Sequence, residues 1–212
     1  RFRCRGRPLA FINLKDRVIQ AKVVYYGPGR CGKTTNLEYV YEKCRPQVNS
    51  DMITVKTQGD RTLFFDFFPL DMGKVAGYDV KIQLYTVPGQ VKYDSTRRLV
   101  LKGVDGVVFV ADSTVERREK NIISIRNLED NLKIYNKDIH DIPLVIQYNK
   151  RDLAHDGIEI LDLETMEKDL NAELKVPAIE ASAVKGDNVV VTLKKIIALT
   201  LASLEQQLKQ EP

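Results

Sequence analysis

A chain of 212 residues with 43% hydrophobic and 29% charged side chains is one large domain or two small ones, with a core that needs no disulfide or metal staple; disorder and a collagen-like repeat are excluded. The longest apolar stretch, around Val107–Ala111, falls far short of the roughly 20 residues a membrane span needs. The net charge of +4 does not mark a nucleic-acid binder, because Arg1, Arg3, Arg5 and Arg7 supply the excess and the rest of the chain balances 29 against 29.

In chain order, a short alternating piece at Ala10–Leu14 reads as a lead-in strand, and Ile19–Tyr26 as a β-rich segment ending in glycines. Leu37, Val40, Tyr41 and Cys44 then recur at helical spacing, and Pro46 ends that helix. Residues 47–60 are polar and aperiodic, which predicts a loop. Two β-like stretches follow, Leu63–Phe68 and Tyr78–Val87, separated by Pro69, Gly73 and Gly77, close enough for an antiparallel pair. Val104–Ala111 is nearly continuous in apolar residues, the mark of a strand buried on both faces. Ile125, Leu128, Leu132 and Tyr135 share a helical face, Pro143–Tyr148 and Pro177–Ala181 read as further buried strands, and Leu193, Ile197, Leu201, Leu204 and Leu208 stripe a closing helix. Strands alternating with helices in this rhythm predict an α/β fold: a mostly parallel central sheet with one antiparallel strand and helices on both faces. Nothing divides it, so residues 10–212 are expected to form a single domain.

The three cysteines, Cys4, Cys31 and Cys44, have no metal-ligand spacing, and neither histidine, His140 or His155, is near one. A reduced, cytoplasmic protein without zinc is the expectation. Residues 1–9 read as a basic leader of uncertain origin, expected to be flexible and set aside from fold reasoning. With no lipidation box at the C-terminus and no secretory pattern, a direct membrane anchor is not expected.

The residues after the first long strand are Gly27-Pro28-Gly29-Arg30-Cys31-Gly32-Lys33-Thr34-Thr35. They fit G-x-x-x-x-G-K-[ST] with a strand before and a helix after. A glycine-rich turn lets successive backbone N–H groups face a phosphate, and the helix N-terminus adds the positive end of its dipole. Lys33 would reach the β- and γ-phosphates and the Thr34 hydroxyl would hold Mg²⁺. Gly27, Gly29 and Gly32 also match the dinucleotide fingerprint G-x-G-x-x-G, which wants an acidic residue at a second strand end. Asp51 has the distance but sits in the aperiodic loop, so Lys33-Thr34-Thr35 favours a nucleoside triphosphate.

A second constellation stands at the end of a buried strand: Asn149-Lys150-Arg151-Asp152. Guanine presents two N–H donors side by side that one carboxylate accepts, and adenine does not, so Asp152 there selects GTP over ATP. Downstream, Glu180-Ala181-Ser182-Ala183 would turn backbone N–H groups, with Ser182 and Ala183 foremost, toward the guanine oxygen. The competing reading of Asn149–Asp152 is a solvated charged turn.

Between these blocks, Leu84-Tyr85-Thr86-Val87-Pro88-Gly89-Gln90 ends a strand. A nucleotide switch would place the Gly89 N–H at the γ-phosphate and use Gln90 to orient the attacking water. Here the sequence resembles the Ras-like small GTPases and, more narrowly, the bacterial MglA proteins of gliding motility and cell polarity. The resemblance spans about residues 10–205 and rests on five blocks in order. They are the Tyr25–Asn36 run, Asp60-Arg61-Thr62-Leu63-Phe64-Phe65-Asp66-Phe67, Thr86–Gln90, Gly103–Asp112 and Asn149–Asp152.

The resemblance implies a phosphate-loop G domain that binds GTP or GDP with Mg²⁺, hydrolyses GTP slowly unaided, and engages polar effectors when GTP-loaded. It implies an MglB-like activator, a homodimer of the Roadblock/LC7 type, and a cytoplasmic monomer recruited to a cell pole, without nucleic-acid binding. Thr62 matches the switch threonine that senses γ-phosphate and Mg²⁺. Arg61 beside it matches an arginine finger in cis, a device worth about 10³–10⁵ in rate; its alternative is a solvated loop arginine. Two departures stand out. Thr86 replaces the aspartate common in small GTPases, a change the MglA proteins share, and leaves Asp66 as either a replacement acid near Mg²⁺ or a structural strand residue. Val184 replaces the lysine of the Ser-Ala-Lys motif. The aromatics of Phe64–Phe68 are either half core and half partner surface or wholly core. Thr86 also keeps open a GTP-binding scaffold with little or no hydrolysis.

Overall fold

The computed structural model describes residues 11–13, 16–45, 52–55, 65–75, 77–89 and 94–210. Its strands are β1 (Phe11–Asn13), β2 (Val18–Tyr26), β3 (Ile53–Val55), β4 (Phe65–Val75), β5 (Tyr78–Thr86), β6 (Gly106–Asp112), β7 (Leu144–Asn149) and β8 (Ala178–Glu180). Its helices are α1 (Lys33–Cys44), α2 (Asp94–Leu101), α3 (Arg118–Lys133), α4 (Leu163–Leu170) and α5 (Val189–Gln210). The strands form one sheet in the order β3-β4-β5-β2-β6-β7-β8. Strands β5, β2, β6, β7 and β8 are mutually parallel, and β4 runs antiparallel to β5 as expected from the sequence. The lead-in piece becomes β1, antiparallel to β2 over Val18–Gln20.

Alternation along β2 explains the two cores. Ile19, Ala21, Val23 and Tyr25 pack to one face with Leu37 and Val40 of α1 and Leu193, Ile196 and Ile197 of α5. Val24 and Tyr26 pack to the other with Val100 and Leu101 of α2, Leu128 and Leu132 of α3, and Met166 of α4. Side chains of period two on the strand thus meet apolar stripes of period 3.6 on helices at both faces. Strand β6 is buried at every position, as its apolar run predicts.

Three local expectations change. The segment 47–60 is not all loop, since Ile53–Val55 pairs antiparallel with Phe65–Phe67. Pro69 does not separate two strands: β4 runs through it, with Pro69 opposite Gln83. Strand β3 has already ended there, so the missing N–H falls on an edge that no described strand pairs. Gly73, at φ 69°, takes up a register shift between Asp71 and Lys74, and its N–H donates to Asp71 Oδ1 at 2.9 Å. Helices α2 and α4, which the periodicity did not single out, complete the second face. Among the described residues no helix is long and apolar enough to cross a membrane.

Candidate functional site

Five parallel strands end on the same edge of the sheet, and the loops that leave them converge there. That edge, at the carboxyl ends of the strands, is where open α/β sheets hold ligands. In-register pairs set the level: Tyr25 opposite Thr86, Asp112 opposite Asn149, and Tyr148 opposite Glu180. Gly27–Gly32, Val87–Gly89, Lys150–Asp152 and Ala181–Ala183 therefore emerge side by side.

The loop after β2 is held by its glycines. Gly27, at φ 141°, lies so close to the Val110 carbonyl that a side chain has no room, and Gly32, at φ 101°, lies equally close to the Asn149 amide. Arg30 also takes positive φ, at 65°, so the chain turns tightly ahead of α1. Lys33, the first residue of α1, is buried and folds back over the turn, donating from Nζ to the Gly27 carbonyl at 3.1 Å and the Pro28 carbonyl at 2.7 Å. Its ammonium also stands 3.6 Å from Cys31 Sγ. Burial pushes the Cys31 thiol up, against the lowering pull of Lys33. Cys31 and Cys44 are free thiols. Thr34 is exposed and Thr35 half-buried at the helix start.

Asn149 joins the second constellation to the first. Its Nδ2 donates to the Cys31 carbonyl at 2.7 Å, and its Oδ1 accepts from the Ala183 N–H at 2.8 Å. One side chain at the end of β7 thereby fastens the phosphate loop to the loop after β8. The Ala183 amide, which the sequence directs toward a guanine oxygen, is engaged by Asn149 in this conformation. Ser182 is buried, and its Oγ accepts from the Lys185 N–H at 3.2 Å. Lys150, at φ 70°, donates from Nζ to Asp112 Oδ2 at 2.6 Å. Asp112 is fully buried and its Oδ1 also accepts from the Thr114 N–H and hydroxyl. Asp152 follows in a half-buried position.

The middle motif ends β5 with Thr86 buried. Gly89 is pressed against the backbone of Gly29 and Pro28, an approach that leaves no space for a β-carbon. A cavity of about 430 Å³ opens beside the phosphate loop, lined in part by Gly29, Arg30, Gly89, Arg117 and Lys120.

The structure thus brings together Gly27, Gly29, Arg30, Cys31, Gly32, Lys33, Thr34, Thr35, Gly89, Asn149, Lys150, Asp152, Ser182 and Ala183. Arg61, Thr62 and Gln90 lie outside the described residues. Asp66 has its backbone in β4 opposite Thr54, while its side chain is outside the described set. Phe67 is half-buried and stacks on Tyr85 at 4.6 Å between ring centroids, while Phe68 is fully buried.

Asp112 escaped the sequence reading as a site residue. Its signal was an acid ending an otherwise apolar strand, which low-dielectric burial makes costly unless it is paired. The buried Asn36–Gln147–Thr192 chain was likewise unseen; Gln147 Nε2 donates to Asn36 Oδ1 at 3.0 Å and Thr192 Oγ1 at 3.1 Å, tying α1, β7 and α5.

A glycine-curled turn capped by a buried lysine, stapled to a strand end that carries Asn-Lys-x-Asp, defines a phosphate-loop nucleotide-binding domain. The sequence model of the Ras family matches residues 22–202. The mutual gliding-motility protein MglA of Myxococcus xanthus is 50% identical over 93% of this chain and 99% of its own. The Ras-related protein SEC4 of Saccharomyces cerevisiae is 28% identical over 88% of this chain and 75% of its own. An uncharacterized protein of Methanocaldococcus jannaschii, MJ1339, is 28% identical over 64% and 80%. The chain belongs to the Ras family and, within it, to the MglA family. Ras-family proteins are GTPases that bind GTP and GDP with Mg²⁺.

Proposed function

We propose that this protein is a GTP-driven switch that hydrolyses GTP to GDP and controls cell polarity and gliding motility. The observation that carries the reading is the Asn149 staple, which holds the phosphate loop and the base-reading segment in one rigid unit. Such preorganisation sets the distance between a triphosphate and a base before either arrives.

In this reading the N–H groups of Gly29–Lys33 bind the phosphates. Lys33 exchanges its carbonyl acceptors for phosphate oxygens. Asp152 accepts the two guanine donors, and the Lys150 stem lies along the base. The exposed Thr34 at the start of α1, beside the loop, supports magnesium held as small GTPases hold it, through hydroxyls and phosphate oxygens. Mg²⁺ would be held by Thr34 and Thr62, with Asp66 acting through water, and when bound it neutralises phosphate charge. Gln90 orients the attacking water, and Arg61 stabilises charge spreading over the equatorial oxygens.

Hydrolysis is slow alone and accelerated by an MglB-like Roadblock/LC7 homodimer. The GTP form, drawn from the cytoplasm to a pole, binds polar effectors there. The likeness to an M. xanthus protein named for gliding motility supports this output. Purified protein is expected to bind guanine but not adenine nucleotides, and to turn over GTP faster when the activator is added. Tight GTP binding without turnover, with or without activator, would instead establish the scaffold reading.

A further inference from the structure

Strand β6 is apolar up to its last residue, Asp112, which is fully buried. Both carboxylate oxygens are satisfied there. Oδ1 accepts from the Thr114 N–H at 3.1 Å and from its hydroxyl at 2.9 Å, and Oδ2 accepts from Lys150 Nζ at 2.6 Å. The backbone is fixed as well. The Asp112 N–H donates to Asn121 Oδ1 at 3.0 Å, and Asn121 Nδ2 donates to the Asp112 carbonyl at 2.8 Å. Asn121 belongs to α3 and is itself buried. Lys150 follows Asn149, which stands opposite Asp112 in the sheet. Its backbone, at φ 70°, is in the left-handed region that lysine seldom enters. From there its side chain reaches back to β6.

Stability alone does not account for this pair. A buried ion pair can often be replaced by apolar side chains without loss of stability. The geometry has another consequence. The Asp112 side chain is 0% exposed, whereas 28% of the Lys150 side chain remains exposed. With the ammonium anchored inward, the methylene stem supplies that exposed surface, an apolar strip at the ligand edge between Asn149 and Asp152. A free lysine stem samples many rotamers. This one is held before any ligand arrives.

We infer that Asp112 is a positioning residue for the base: by clamping the Lys150 ammonium it holds the lysine stem as a ready-made rest for the purine ring, and so slows nucleotide release. Asn121 holds Asp112 in turn from α3. The inference rests on the guanine-nucleotide reading above and concerns its base end only. Asp152 still chooses the base, and the phosphate loop still binds the phosphates. Ordering a rotamer-rich side chain during binding lowers affinity unless the side chain is already ordered. Losing the clamp should therefore shorten nucleotide dwell time between about threefold and thirtyfold. Because the stem meets the purine and not the phosphates, GDP and GTP should lose equally.

The test uses the full chain with Asp112→Asn, Lys150→Met and the Asp112→Asn/Lys150→Met double variant. Release of fluorescent GDP and of a fluorescent non-hydrolysable GTP analogue is timed by stopped flow, with and without a chelator of Mg²⁺. Asp112→Asn keeps an acceptor for Thr114 and drops the ion pair. It should speed release of both nucleotides by about threefold to thirtyfold. The further acceleration by the chelator should be the same as in the unaltered protein, since Mg²⁺ acts at the phosphate end. The double variant should release no faster than Lys150→Met alone, because the clamp then has no lysine to hold. Unchanged release in Asp112→Asn, losses that multiply independently in the double variant, or a loss confined to one of the two nucleotides overturns the inference. A chelator effect that shrinks in Asp112→Asn places the defect at the phosphates and overturns it too. If the unaltered protein holds neither nucleotide, the guanine-nucleotide reading fails and takes this inference with it. If the unaltered protein holds both and Asp112→Asn releases them at the same rate, this inference fails alone.

Discussion

Asn149 makes hydrogen bonds to Cys31 and Ala183, residues far from it and from each other in the chain. Under the proposed reading, its neighbour Asp152 is the residue on which base choice would turn. A site built to pair polar groups rejects a ligand that leaves them unpaired far more strongly than a hydrophobic pocket rejects a missing methylene. Asp152→Asn is therefore expected to weaken GTP by about a hundredfold or more and to favour xanthosine triphosphate, read by competition against a fluorescent guanine nucleotide. Equal loss for both triphosphates would remove the base-reading role. Arg61 makes the complementary case, since the arginine finger proposed for it would act on the transition state and not on binding. Arg61→Ala should keep GTP affinity while cutting activator-stimulated single-turnover hydrolysis more than about tenfold; an unchanged rate would leave it a solvated loop residue. The Asn149–Asp152 run was legible in sequence, because it needs particular residue types at contiguous positions. The pairing of Asp112 with Lys150 and the Tyr26 hydrogen bonds to Asn127 and Asn131 were not, because the partners come from other elements.

At the scale of elements, the joint between β2 and β6 carries a titratable peg. Asp105 precedes β6, its N–H donates to the Lys22 carbonyl at 2.9 Å, and its Oδ2 accepts from the Lys22 N–H at 2.8 Å. Burial pushes its carboxyl up to about 6, against the pull of that N–H and of Lys137 and Lys22. A folded-state pKa above the unfolded value means the native state holds this proton more tightly. The stabilisation is full below the unfolded pKa of about 3.9 and is lost as pH rises through about 6. Asp105→Asn keeps an acceptor for Lys22 and removes the charge. It should stabilise the protein near pH 7 by about 1–2 kcal/mol, the smaller end allowing for partial solvent screening, and do little near pH 4. Denaturant titrations at the two pH values check this, and an equal gain at both would exclude it. The strands and long helices were readable from apolar runs and stripes. Helix α4 was not read in the sequence, and the structure shows it capped by Asp162, which accepts from the Thr165 N–H; β4 ran through Pro69 because the neighbouring strand had already ended.

For the whole molecule, two cores on opposite faces of one sheet hold the ligand edge rigid, so binding and folding are linked. A nucleotide that binds only the folded chain stabilises it by about 2.7 kcal/mol at a hundred times its dissociation constant. Mg²⁺ with GDP should accordingly raise the melting temperature by several degrees, ADP should not, and Lys33→Ala should abolish the shift. Equal shifts with both nucleotides would contradict guanine selectivity. By itself the sequence determined the α/β class, the phosphate loop, the Asn149–Asp152 run and the family, since glycine placement, strand-then-helix patterning and motif order are properties of neighbouring residues. Only the tertiary structure decided that Asn149 staples the phosphate loop to the loop after β8, that Asp112 anchors Lys150, and that Tyr26 and Asp94 share the asparagines of α3. Those pairings join segments many residues apart, and no local propensity records which of many buried polar groups will meet once the helices close on the sheet.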